Sequence, residues 1–173
     1  LARRARFDPG TGMSRLVTER VSRAEAEQRA GRAGRLAPGH VFKLWAKGEN
    51  GTLPAFAPAE IETADLTGLA LELALWGAPP EDLPFLTPPA PIALSEANEL
   101  LRGLGALQSD GRITEHGKAL ARLPLHPRLA HMLLSAGSDA AELAALLSER
   151  DPLGRTAGCD LSLRLRALKD SRV

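Results

Sequence analysis

The chain has 173 residues, enough for one ordinary domain or two small ones, and 44% of them are apolar, as in a globular protein. No apolar run approaches the ~20 residues that span a bilayer, and the basic opening LARRARFDPG lacks the apolar core of a secretory signal. The formal net charge is only +1, yet residues 1–35 hold nine Arg, no Lys and four acids, against thirteen Lys plus Arg and seventeen acids thereafter.

The lone cysteine, Cys159, excludes an internal disulfide and a Cys-based zinc site, so a reducing, cytoplasmic setting is expected. The chain opens without Met and reads as a piece of something longer.

Met13–Val21, with β-branched residues in loose alternation, predicts a strand. Ser22 with Glu25 three residues on is a capping box and predicts a helix over Ser22–Ala33. Gly39–Ala46 is a second strand candidate. Strand, helix and strand in that order suggest the tail of an α/β sheet domain. Thr63–Trp76 predicts an apolar helix stopped by Gly77 and Pro79, and the Pro-rich stretch Pro79–Pro91 an ordered connector. Ser95–Leu107 predicts a helix with Leu100, Leu101, Leu104 and Leu107 in one stripe. Ser109-Asp110-Gly111 then forms a turn, Arg112-Ile113 a short strand, and Thr114 caps a helix to Leu123. That succession is typical of a winged helix. Pro127 opens a helix to Ala136, Asp139 with Glu142 predicts a capped helix over Asp139–Arg150, and Asp160–Lys169 is helical.

The informative segment is Gln28-Arg29-Ala30-Gly31-Arg32-Ala33-Gly34-Arg35. At ~100° per residue, Gln28, Arg32 and Arg35 share one helix face, while Arg29 points elsewhere. Three long polar side chains on one face cannot form a core stripe. Gly31 and Gly34 each cost a helix about 1 kcal/mol relative to Ala but permit close approach. Nucleoside triphosphate hydrolysis suits this arrangement. Arginines stabilise charge on the transferring phosphoryl group, and a glutamine orients water or bonds to the γ-phosphate.

QRAGRAGR resembles motif VI of the DEAH/RHA branch of superfamily-two helicases. The flanks Phe7-Asp8-Pro9, Met13–Val21 and Gly39–Trp45 are similar to the second RecA-like domain of that branch, and LPLHPRLAHML and LSERDPL to its bacterial HrpB-like members. The resemblance covers essentially the whole chain. It implies a mixed, mainly α fold: residues 1–62 as the tail of a RecA-like α/β domain, 63–128 as a winged-helix module, and 129–173 as the start of a helical ratchet-like domain. It implies Arg32 and Arg35 as catalytic arginine fingers, and Gln28, Arg32 and Arg35 as nucleotide-binding, with Arg29, Gly31 and Gly34 structural. ATP with Mg²⁺ would be bound mainly by a first RecA-like domain absent from this chain, and the strand gripped would be single-stranded RNA. The family's phosphate loop and DEAH motif are absent and would lie before Leu1, so the chain alone is expected not to hydrolyse ATP.

Other residues read less sharply. Gly111–Ala119 has five residues between its glycines and Ala119 where a Mg²⁺-binding hydroxyl belongs, so it is a turn and helix entry rather than a phosphate loop. His40, His116, His126 and His131 lack metal-site spacing, and no metal site is expected. Trp45 and Trp76 are expected in the core. Aromatics make up only 3% of the chain, which argues against a stacking platform for single strands. The helix Thr114–Leu123 carries only Lys118 and Arg122 against Glu115, a weak footprint for groove reading. Arg128, Arg164, Arg166 and Arg172 suit either phosphate contacts or a solvated face. Two readings compete with a helicase piece: a non-enzymatic winged-helix nucleic-acid-binding module, and a structural helical scaffold.

Overall fold

A computed structural model describes residues 1–153 and 157–170. Arg172 lies outside the described residues. The chain divides into two compact units, residues 1–65 with 87–90, and 66–86 with 91–173.

The first unit opens on an antiparallel hairpin, β1 (Ala2–Asp8) and β2 (Met13–Glu19), in the register Ala2↔Glu19 to Asp8↔Met13. Gly12 closes the turn at φ 65°, where a side chain is disfavoured, and its N–H donates to the Asp8 carbonyl at 2.8 Å. The hairpin precedes α1 (Arg23–Gly31), so the expected strand–helix–strand order does not form. Gly39–Ala46 is not a strand. It has β-type residues but no ladder partner among the described residues, and a strand exists only by pairing. Its Phe42 and Leu44 are 86% and 93% exposed.

The core of this unit is small: Ala2, Val21, Ala26 and Leu53, with half-buried Trp45 against them. The Trp45 indole donates to Asn50 Oδ1 at 2.8 Å. Two free N–H groups in the first turn of α1, those of Arg23 and Ala24, donate to the carbonyls of Pro54 (2.8 Å) and Ala55 (3.1 Å).

The second unit is helical: α2 (Thr67–Trp76), α3 (Pro91–Gly103), α4 (Glu115–Ala121), α5 (Pro127–Ala136), α6 (Ala141–Ser148) and α7 (Leu161–Asp170). Contacts run from α2 to α3 and α4, then α4 to α5, α5 to α6 and α6 to α7. Leu101, Ala106, Leu120 and Ala130 are essentially fully buried. Gly77 ends α2 at φ 70°, with its N–H on the Leu73 carbonyl. Helix α3 starts at Pro91, four residues before Ser95, because proline fits the first turn of a helix, where its missing N–H has no partner to lose.

The wing is built as its residues suggest. Leu107 and Ile113 form a β-bridge, Gln108 N–H donates to the Arg112 carbonyl at 2.8 Å, and Gly111 turns the chain at φ 86°. Thr114 Oγ1 accepts from Gly117 N–H at 3.0 Å, capping α4. Gly117 packs tightly: a Cβ there would lie 2.3 Å from the Ala106 carbonyl oxygen.

Three expectations fail here. Asp139 caps nothing, because it sits within a 3-10 turn, Gly137–Ala140, and α6 begins after Ala140, whose backbone is helical rather than extended. Trp76 is 69% exposed at the end of α2. Arg164 is buried and unavailable to phosphate. Its guanidinium meets Asp151 through Nε (3.0 Å) and Nη2 (2.8 Å), and bonds the carbonyls of Asp160 (2.9 Å) and Gly158 (2.7 Å), closing that loop onto α7. The Arg164 hydrogen bonds hold the Asp151 carboxyl below the usual carboxylate range.

Candidate functional site

The Gln28–Arg35 segment begins on a firmly capped helix. Ser22 is fully buried, its hydroxyl accepts from Glu25 N–H at 3.2 Å, and Glu25 Oε2 takes the Ser22 N–H at 2.7 Å. Those hydrogen bonds from Ser22, with Arg4 and Arg29 nearby, hold the Glu25 carboxyl below the usual range.

Helix α1 does not run through to Ala33. It ends at Gly31 and tightens into a 3-10 turn over Arg32–Gly34, with Arg35 still in right-handed helical backbone. Residues three apart on a 3-10 turn eclipse one another, so Arg32 and Arg35 share a direction, and Gln28 lies one α-turn before Arg32. All three are exposed, and none has a side-chain hydrogen bond or ion pair among the described residues. Arg29 differs: its Nη1 donates to the Leu1 carbonyl at 2.9 Å, tying α1 to the start of β1.

A Cβ at Gly31 or Gly34 would meet nothing within 4 Å, so neither glycine is required by packing inside this chain. Gly39 is the close approach that sequence reasoning missed. A Cβ there would sit 2.1 Å from the Ala33 carbonyl oxygen, where the chain leaving the Arg-rich turn passes back against it. Only the bare Pro-Gly pair at Pro38-Gly39 hinted at this.

A second feature was also missed. His116 Nε2 lies 2.8 Å from His131 Nδ1, joining α4 to α5 edge to face. They stand fifteen positions apart on consecutive helices, so spacing could not reveal the pair. No group of three or more His, Cys, Asp or Glu side chains that could hold a metal ion occurs among the described residues. In the second unit a cavity of about 620 Å³ lies beside the wing, with Leu73 and Pro80 among its apolar lining and Asn98, Arg102, Arg112 and Lys118 among its polar lining.

Residues 99–125, the end of α3, the wing and α4, match the helicase-associated domain HA2, winged-helix. Over 158 residues the chain is 44% identical to the ATP-dependent RNA helicase HrpB of Escherichia coli K12. A crystal structure of the Escherichia coli DEAH/RHA helicase HrpB matches 99% of this chain with a TM-score of 0.81 and 40% identity. This chain is an HrpB-like segment of the DEAH/RHA helicase family. Within that family it is also 39% identical over 136 residues to the ATP-dependent RNA helicase DEAH13 of Arabidopsis thaliana. The matches cover 88% of this chain for HrpB and 75% for DEAH13, but only 19% and 11% of those proteins, and 24% of the crystallised chain.

Proposed function

We propose that this segment supplies the arginine-bearing side of the ATP site of an ATP-dependent RNA helicase. Arg32 and Arg35 act as the arginine fingers, and Gln28 contacts the γ-phosphate or the attacking water. The observation that carries the reading is the exposed, unpaired stripe of Gln28, Arg32 and Arg35 on a capped helix. A guanidinium without an internal carboxylate partner is free to meet phosphate oxygens in a bidentate fork.

ATP and its Mg²⁺ are held mainly by a first RecA-like domain outside this chain, and the strand moved is single-stranded RNA. On this reading residues 1–62 end the second RecA-like domain, 63–128 form the winged-helix module, and 129–173 begin the ratchet-like domain. The division of the chain after Asp65 and the HA2 match at residues 99–125 support the first two assignments. What the residues here contribute is charge. As the bond to the leaving phosphate breaks, negative charge spreads over the γ-phosphoryl oxygens, and two fixed guanidinium groups offset it without reorganising.

The test is Arg32→Ala and Arg35→Ala in the full-length protein. Each is expected to lower ATP turnover about a thousandfold while leaving ATP binding largely intact. Wild-type turnover in both variants refutes the finger assignment.

A further inference from the structure

Helix α1 has only nine residues, and its sole buried side chain is the methyl group of Ala26. Packing through one methyl does little to fix rotation of a helix about its axis. Polar contacts must therefore fix the direction in which Gln28, Arg32 and Arg35 point, and the structure contains a chain of them. Arg4, in β1, has a side chain only 16% exposed. Its Nη1 donates to Glu19 Oε2 at 2.9 Å, at the end of β2, and its Nη2 to Glu25 Oε2 on α1. Glu19 is gripped a second time by Arg6, through Nε at 2.8 Å and Nη2 at 3.0 Å. Glu25 Oε2 also accepts the Ser22 N–H, so the Arg4 fork meets the carboxylate that caps α1. At the other end of α1, Arg29 reaches the Leu1 carbonyl. Glu25 and Arg29 are one helical turn apart, so α1 is pinned to β1 at two heights along one side.

We propose that Arg4 is a positioning residue: its fork locks the rotation of α1 against the hairpin and thereby aims Gln28, Arg32 and Arg35. This rests on the reading of Arg32 and Arg35 as fingers. The planar fork meets Glu19 and Glu25 through two separate nitrogens held in fixed geometry, whereas a lysine ammonium meets them as a rotatable point charge. Misplacement of about 1 Å by a residue remote from the chemistry can cost about a hundredfold in rate. A lost finger aim lowers kcat with little change in KM, because the interaction is made in the transition state.

The experiment is steady-state ATP turnover of the full-length protein with Arg4→Ala, Arg4→Lys, Glu25→Gln and Arg3→Ala, and with Arg32→Ala alongside. Circular dichroism checks folding. Arg4→Ala is expected to lower kcat at least about tenfold with KM for ATP within about twofold, and Arg4→Lys to recover only part of the loss. Glu25→Gln keeps an oxygen to accept the Ser22 N–H but loses the charge facing Arg4, so it should lower kcat similarly at unchanged helix content. Arg3, exposed on the other face of β1, should be indifferent. If Arg4→Ala does not fold, Glu25→Gln decides. Wild-type kcat in a folded Arg4→Ala or in Glu25→Gln, or a loss confined to KM, overturns the positioning role. If Arg32→Ala itself turns over normally, the finger reading fails and takes this proposal with it. A crippled Arg32→Ala beside a normal Arg4→Ala defeats the brace alone.

Discussion

Replacing Gly117 by alanine tests the packing of the winged helix where a glycine lets α4 run close against the Ala106 carbonyl. Gly117 lies in the first turn of α4, where a helix ordinarily gains up to about 1 kcal/mol from Gly→Ala. Here the added Cβ would stand 2.3 Å from the Ala106 carbonyl oxygen and 2.7 Å from Ile113 Cγ1, whereas real Cβ contacts stay beyond 3.0 Å. Neither neighbour yields easily. The Ala106 carbonyl is backbone that already accepts the Thr114 N–H at 2.9 Å, and Ile113 forms the bridge to Leu107. Overpacking of this kind costs about 1–3 kcal/mol, and a weakened backbone hydrogen bond adds about 1. After subtracting the propensity gain, Gly117→Ala should destabilise by about 2 kcal/mol. Gly68→Ala is the matched control. It also lies in a first helical turn, its Cβ would meet nothing within 4 Å, and it should stabilise by about 0.5 kcal/mol. Urea unfolding followed by circular dichroism reads the difference, with the Gly117→Ala midpoint about 1 M lower than wild type. Hydrogen exchange at the α4 amides should show the loss locally. A Gly117→Ala protein as stable as Gly68→Ala would refute the account of the wing.

Two further outcomes follow from the first unit and the caps. Ser22→Ala removes the acceptor for Glu25 N–H and should destabilise by about 1 kcal/mol, while Asp139→Ala, which removes no cap, should lie within about 0.5 kcal/mol of wild type in the same urea titration. Glu19 is held below the usual carboxylate range by hydrogen bonds from Arg6 and then Arg4, and Glu25 chiefly by that from Ser22. Carboxyls depressed in the folded state stabilise it fully above their unfolded pKa, about 4.3, and that stability is lost as pH falls through the lower folded values. Stability of the first unit should therefore be flat near neutrality and fall from about pH 4 downward, less steeply in Glu19→Gln. An equally steep acid limb in that variant argues against the network.

The sequence was legible wherever the determinant was local. Ser22 with Glu25, Pro127 and Thr114 each declare a helix start within four residues, and Gly77 and Gly111 declare left-handed turns. What depended on a distant partner was not legible. Strand β1 carries three arginines in seven residues, a poor strand composition, and is held by pairing to β2 and by carboxylates on β2 and α1. Gly39–Ala46 shows the opposite failure: strand-like residues without a neighbouring edge. The spacing of Asp139 and Glu142 mimics a capping box, but capping needs extended backbone as well as the right letters. At the candidate site Gln28, Arg32 and Arg35 lie exposed at the end of α1 and along the 3-10 turn and its cap, and their spacing did not announce that the helix tightens after Gly31. The Arg4 brace and the Gly39 back-approach were invisible, since both join segments that only folding brings together.

The two indoles occupy opposite surroundings, and the chain contains no tyrosine. Trp45 leans on the small apolar cluster of the first unit with its N–H bound to Asn50, whereas Trp76 stands in water at the end of α2 in the second. Ultraviolet emission from this molecule is thus a sum of a shielded and a solvated component. Only the shielded one has a colour to lose on unfolding, so a red shift in fluorescence reports the opening of the hairpin-bearing unit while the winged-helix unit stays spectrally silent.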